Sequence, residues 1–156
     1  MKRKIIARSL LPDLAHKLRT AKKKFVFTNG TFDILHLGHI TYLQKAKEQG
    51  DILIVGVNSD ASVKTYKGPD RPINPEQDRM QVLAALECVD YIVLFSEPTP
   101  LNVIMMARPH VLVKGADWKK SEIAGAKEVE SWGGKVKRIA LVEGRSTTKI
   151  IRKMCG

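Results

Sequence analysis

The chain has 156 residues, 44% hydrophobic and 28% charged, with a formal net charge of +11, figures that fit one globular domain and exclude a disordered or low-complexity polymer. No apolar run approaches the ~18 residues of a membrane span, and Met1-Lys2-Arg3-Lys4-Ile5-Ile6 lacks the apolar stretch and cleavage site of a secretion signal. Cys88 and Cys155 have neither metal nor disulfide spacing, so reduced thiols and a cytoplasmic setting are expected. A positive excess suits nucleic acid, an anionic membrane surface or phosphorylated small molecules. The lysines are scattered, with few aromatics between them, so most read as a solvated face, and neither a nucleic-acid nor a membrane partner is expected.

In chain order, a basic helix over about 9–21 forms an N-terminal extension (1–23) to a single domain. Strand 24–28 follows, then a helix with Ile40, Leu43 and Ala46 on its apolar side, stopped by Gly50. The continuous apolar run 52–57 reads as a strand buried on both faces. The segment 58–74, rich in Lys, Gly, Pro and Arg, reads as a polar loop, and Pro75 opens a helix over 75–87. Strand 91–95, a helix from Thr99-Pro100, strand 111–113, helix 121–132, strand 136–141 and a last helix from Ser146 complete the order. Such alternation predicts a doubly wound, Rossmann-like α/β fold: a parallel sheet of about five strands with helices on both faces.

Ligands of such sheets bind outside the carboxyl ends of the strands. The segments there are 28–39, Asn58-Ser59-Asp60 with the basic loop, 114–118, and Glu143-Gly144-Arg145-Ser146-Thr147-Thr148. His36-Leu37-Gly38-His39 follows the first strand after a tight loop, Asn29-Gly30-Thr31-Phe32-Asp33. The unpaired N–H groups of a helix start favour an anion, and residues three apart share a helix face. His36 and His39 can therefore meet one phosphate, as donors that gain charge when negative charge builds up nearby. Gly38 removes a side chain where a flat ring or sugar would clash. Asp33 is expected to orient its own loop by accepting backbone N–H bonds. Ser146-Thr147-Thr148 is either a plain helix cap or a phosphate grip. One or two of Lys64, Lys67 and Arg71 hold a phosphate, the others being solvated loop charges. Trp118 is either a packing residue or part of the site.

Gly30-Thr31-Phe32-Asp33-x-x-His36-x-Gly38-His39, with Ser146-Thr147-Thr148, resembles the HIGH-motif nucleotidyltransferase superfamily. Within it, 28–36, Lys67-Gly68-Pro69-Asp70-Arg71-Pro72-Ile73, 95–100, Val113-Lys114-Gly115-Ala116-Asp117 and 123–129 resemble the D-glycero-β-D-manno-heptose 1-phosphate adenylyltransferase family. Two departures stand out: Thr31 where most of that family has cysteine, and Leu141-Val142-Glu143 where cytidylyltransferase relatives carry an arginine. Arg145, just before the serine, leaves open which cation meets pyrophosphate.

The resemblance implies an enzyme that transfers AMP from ATP to a heptose 1-phosphate, with Mg²⁺ carried on the nucleotide phosphates and no protein metal ligand. His36, His39 and Lys64 are then catalytic. Thr28, Asn29, Gly30, Thr31, Phe32, Gly38, Arg79, Lys114, Gly115, Asp117, Arg145, Ser146, Thr147 and Thr148 bind the nucleotide. Asp33, Asn58, Asp60, Lys67, Arg71 and Trp118 bind the sugar phosphate. It also implies a stand-alone domain, a bacterial cytoplasm, a product used for lipopolysaccharide inner core or other surface glycans, and a homodimer. A cytidylyltransferase for glycerol 3-phosphate is the rival enzyme, and a basic nucleic-acid-binding module the rival outside enzymes. No Ser-His-Asp set is visible, and no GxxxxGK[ST] or GxGxxG loop, which argues against a P-loop kinase and a dinucleotide dehydrogenase.

Overall fold

The computed structural model describes residues 3–156, so Met1 and Lys2 of the predicted N-terminal extension lie outside the described residues. The elements are α1 (Leu11–Thr20), β1 (Phe25–Gly30), α2 (Leu37–Lys47), β2 (Ile52–Asn58), α3 (Asp60–Lys67), α4 (Glu76–Ala84) and β3 (Tyr91–Phe95). They continue with α5 (Leu101–Ala107), β4 (Val111–Gly115), α6 (Ala126–Ser131), β5 (Lys135–Ile139) and α7 (Thr147–Met154). The five strands form one parallel sheet in the order β3-β2-β1-β4-β5.

Strand side chains alternate between faces, and the alternation sorts the core into two layers. Phe25, Phe27, Ile54, Val93 and Leu112 pack with α1, α5 and α6 on one face. Val26, Leu53, Val55, Ile92, Val111 and Val113 pack with α2 and α4 on the other. The expected doubly wound sheet is what the chain forms.

Three differences have physical causes. The expected loop 58–74 contains α3, started by Ser59, whose Oγ accepts from Ser62 N at 3.2 Å, and anchored by buried Val63. Its breakers, Gly68, Pro69 and Pro72, all come after the helix ends. The predicted helix 121–132 is divided into a 3₁₀ turn (Lys120–Glu122) and α6, because Gly125 between them has φ 85°. The N-terminal segment is no appendage: Leu11, Ala15 and Leu18 of α1 are buried in the core. Ahead of α1, Ile92 N donates to Lys4 O at 2.9 Å and Ile6 N to Ile92 O at 3.0 Å, which covers the β3 edge of the sheet. At the other edge, exposed Lys135, Lys137 and Arg138 deter pairing with another sheet.

The chain runs outward from β1 through β2 to β3, then returns to lay β4 against the other side of β1. Between β1 and β4 only Val26–Val111 and Phe27–Leu112 are paired. Beyond them the strands part, and side chains satisfy the Val113 carbonyl: Thr28 Oγ1 donates to it at 3.0 Å and the Tyr42 hydroxyl at 3.2 Å. A crevice opens at the carboxyl end of the sheet, where strand order reverses. Among the described residues no helix is long and apolar enough to cross a membrane.

Because α1 is part of the core, Leu11→Ala should cost about 2–5 kcal/mol of stability, the usual range for truncating a fully buried leucine. Urea unfolding measures this, and an unchanged midpoint would make α1 a dispensable extension.

Candidate active site

His36 is the N-cap residue of α2, with extended backbone, and His39 stands at the third position of the helix. Gly38 N donates to His36 Nδ1 at 3.1 Å, and His36 N donates to His39 Nδ1 at 3.3 Å. The two rings thus cap the helix with the same nitrogen. Since each Nδ1 accepts a hydrogen bond, each neutral ring carries its proton on Nε2 and has a donor left for a ligand. The rings stack with centroids 3.9 Å apart. Burial lowers the pKa of His36, and the Arg145 charge lowers it further. Burial, then His36 and Lys67, depress His39 to about 4. With both pKa values lowered, the two rings are neutral near pH 7, and protonating either Nδ1 would set N–H against N–H, which opposes the expected uptake of charge. Gly38 also has a different reason from the one expected. A Cβ there would lie 2.8 Å from the His36 ring and 3.2 Å from Arg145 Cβ, so the glycine lets the cap close.

Asp33 ties the first loop to the segment before α4. Its carboxylate accepts from Ile73 N at 2.8 Å, Asn74 N at 2.9 Å and Arg71 Nε at 3.1 Å, and Asn74 Nδ2 donates to Asp33 O at 2.8 Å. Burial alone would raise the Asp33 pKa, but the Asn74 and Ile73 N–H groups and Arg71 outweigh it and hold the carboxyl below its ordinary value. Asp33 thus orients the partner loop rather than its own. Arg71 Nη2 is buried with no hydrogen-bond partner.

Arg79 does not face the nucleotide side as expected. Its guanidinium is buried and donates to Asn74 O, Thr31 O, Asn58 O and Asp60 Oδ1 at 2.6–3.0 Å, bracing three loops from beneath. Asp60, its ion-pair partner, is held there and lines neither cavity at the crevice. Thr28 is likewise buried, its hydroxyl bonded to Val113 O and Tyr42. Lys64 is exposed on α3 outside both cavities, whereas Lys67, one turn later, lines both.

The remaining predicted residues do converge. One cavity of about 380 Å³ takes in Asn29, Gly30, Thr31, Phe32, Asp33, His36, Gly38 and His39 from the β1 side. Lys67 and Arg71 enter it from the basic loop, Lys114, Gly115, Asp117 and Trp118 from β4, and Arg145, Ser146, Thr147 and Thr148 from α7. Ser146 Oγ caps α7 by accepting from Lys149 N at 3.1 Å. Thr147 Oγ1 donates to Ile34 O at 3.0 Å, so its hydroxyl proton fastens α7 to the histidine loop instead of reaching a ligand. Lys114, its pKa lowered by burial against the opposing pull of Asp117, sits with Nζ 4.9 Å from the Trp118 ring centroid. Trp118 itself is 43% exposed, which sets aside the packing reading.

A second cavity of about 570 Å³ adjoins the first, sharing Asn29, Gly30, Thr31, Lys67, Lys114 and Trp118. Asn58, whose Nδ2 donates to Ser62 Oγ at 3.2 Å, belongs to this one, with Tyr66, Ser96 and Thr99. Tyr66, bonded to the Thr31 hydroxyl, and Ser96 and Thr99 went unread as site residues. The rule that placed the other loops also covers Ser96 and Thr99, since they follow β3. Tyr42 was missed as well. Burial pushes its pKa to about 12, and it joins α2 to β4 through Thr28 and Val113.

Two helix starts and two neutral histidines facing a switch-point crevice define a doubly wound α/β protein with its candidate site at the carboxyl ends of the strands. A family model described as cytidylyltransferase-like matches residues 27–153, and the chain belongs to that family. The bifunctional protein HldE of Syntrophotalea carbinolica is 52% identical over 97% of this chain and 31% of its own length. The bifunctional protein HldE of Nitratiruptor sp. is 55% identical over 90% of this chain and 30% of its own. This chain therefore spans less than a third of those relatives. The crystal structure of a lipopolysaccharide core biosynthesis protein from Thermoplasma volcanium superposes with TM-score 0.64 at 30% identity, covering 79% of this chain and 99% of that one. Pantoate–β-alanine ligase from Francisella tularensis shares the fold, with TM-score 0.58 at 19% identity over 96% of this chain and 76% of that one.

The His39 shift has a consequence for stability. The folded ring titrates near 4 against an ordinary value of 6.5, so between these values the unfolded chain binds the extra proton. The stability tied to the neutral ring is complete above pH ~6.5 and is lost as pH falls toward 4. Urea midpoints should drop more between pH 7 and pH 4.5 in the parent than in His39→Gln. Equal drops would remove His39 from the linkage.

Proposed function

We propose that this chain is a nucleotidyltransferase that transfers AMP from ATP to a heptose 1-phosphate, releasing pyrophosphate and forming ADP-heptose. One observation carries the reading: two helix N-termini and the paired His36 and His39 donors converge on a cavity that opens directly into a second, larger one. The smaller cavity suits the triphosphate, over the starts of α2 and α7. The larger suits the sugar, and its phosphate would sit toward the smaller cavity, which Arg71 lines and where the Arg71 Nη2 nitrogen, buried without a partner, and Lys67, shared by both cavities, supply cations. A phosphate oxygen of the sugar phosphate attacks the α-phosphorus in line, the P–O bond to the β-phosphate breaks, and pyrophosphate leaves. A phosphate monoester is largely ionised near neutral pH, so the nucleophile needs no general base. The protein's part is positioning and charge stabilisation.

Neutral Nε2–H donors suit that part, because they need no proton uptake when charge develops at the phosphorus. Among the described residues no group of three or more His, Cys, Asp or Glu side chains could hold a metal ion. The carboxylates of the smaller cavity are Asp33, engaged with Arg71 and two N–H groups, and Asp117. That donor set fits Mg²⁺ held by the triphosphate's own oxygens, where it would neutralise part of their charge.

The near-continuous resemblance of the loops after β1, β2 and β4 to heptose 1-phosphate adenylyltransferases supports ATP and the heptose as the substrate pair. The lipopolysaccharide core biosynthesis protein among the structural relatives supports a role in surface glycans. With Mg²⁺, ATP and heptose 1-phosphate, the protein should release pyrophosphate and form ADP-heptose, with CTP a poor replacement. His39→Ala should lower kcat by ~10²-fold, the scale of one lost transition-state donor. Arg71→Ala should mainly raise KM for the sugar phosphate. Efficient turnover of CTP with glycerol 3-phosphate, and none with ATP and the heptose, would replace the substrates and keep the site.

A further inference from the structure

At the other end of the sheet, where β4 and β5 begin, a cavity of about 390 Å³ is lined by Arg19, Arg108, His110, Trp132 and the Gly133-Gly134 turn, with Pro109. Arg19, Arg108 and His110 are each held by a partner that leaves donors over. Arg19 Nη2 donates to Ala107 O and Arg108 O, both at 2.7 Å, and its guanidinium lies 5.3 Å from the Phe25 ring centroid. The Arg108 guanidinium lies 5.0 Å from the Trp132 ring centroid. His110 Nδ1 accepts from Phe25 N at 3.1 Å, so the neutral ring keeps its proton on Nε2. Trp132 Nε1 donates to Pro109 O at 3.1 Å, which leaves the indole as a flat wall.

The charges here are one-sided. Among the described residues lining this cavity none is acidic. The two guanidinia are close enough that, after burial, Arg108 is the main influence lowering the pKa of Arg19. Arg108 also sits on left-handed backbone (φ 48°, ψ 60°) at the end of α5, a position and conformation that favour glycine. Arg19 and Arg108 thus bring two like charges to one cavity with no acidic residue in its lining, Asp51 acting on it only from outside through His110, and an anion between the guanidinia would offset their repulsion.

We propose that this cavity is a second anion site, separate from the reaction crevice, for a phosphate or pyrophosphate group, free or at the end of an organic molecule. The planar forks of Arg19 and Arg108 and the His110 Nε2–H supply donors suited to its oxygens. Donors already fixed by protein partners lose little freedom on binding. The assignment does not rest on the proposed transferase activity.

The sequence has two tryptophans, so Trp118→Phe leaves Trp132 as the only one. In that background, inorganic pyrophosphate titrated at constant ionic strength should change Trp132 fluorescence saturably. Arg108→Gly should weaken this binding by about tenfold or more, the scale of one charge-assisted contact. Its Tm should hold or rise, because glycine suits the backbone at that position. Arg108→Asn, which also tolerates that conformation, should lose binding in the same way. The response should survive His36→Ala, which separates this site from the crevice. No saturable change, an equal change with sodium chloride, or unaltered affinity in both Arg108 variants would overturn the proposal. Loss of the response in His36→Ala would assign it to the crevice instead.

Discussion

The site depends on β1 and β4 remaining paired for two residues and then separating. In a sheet of parallel strands an unpaired carbonyl is costly, so a gap needs substitutes for the lost bonds. Thr28 and Tyr42 supply them at the Val113 carbonyl. Tyr42 is on α2, three residues beyond His39, so the bond that satisfies the Val113 carbonyl also ties the helix bearing the histidines to β4. Everything around the crevice is arranged against that frame.

A second layer of polar ties then sets the loops. Asp33 draws in the Ile73–Asn74 backbone and Arg71, Arg79 holds the Thr31, Asn58 and Asn74 carbonyls from below, and Thr147 reaches Ile34 O. Charged groups are buried here only with partners, as the cost of desolvation requires. Arg71 Nη2, buried without one, is the departure from that rule. It leaves the loop network with one unmet donor on a residue that lines the smaller cavity.

The strands, their order of appearance and the helix start at His36 were legible because they rest on local rules: apolar runs, breakers and the demands of a phosphate on backbone N–H groups. Membership of the crevice was legible for most residues that follow a strand, Asp60, drawn under the loops by Arg79, being an exception. Direction was not. Arg79 and Lys67 are both cations near the same loops, and only tertiary packing buries the first as a brace and brings the second to the cavity. Lys64 and Lys67 are three apart on one short helix, too close for sequence to separate. The tautomer of the histidines also escaped a linear reading, since it depends on which backbone N–H meets each ring. Helix α3 was hidden by the composition of the turn that follows it.

Phe32 is under two opposed demands. Its φ of 51° suits glycine, while its ring is buried in the layer formed with Leu43, Val57 and Met80 and lies 5.5 Å from the His39 ring. A left-handed phenylalanine costs about 1–2 kcal/mol, and packing around the ring holds it in place. Glycine would ease the backbone and remove the wall behind His39, so the two demands cannot both be met by a simpler residue. Looser packing beneath the ring would let the backbone relax first at this turn, four residues before the helix cap. The apolar layer under β1 therefore sets the tolerance on the imidazole above it, and drift in that layer reaches the crevice without any crevice residue being exchanged.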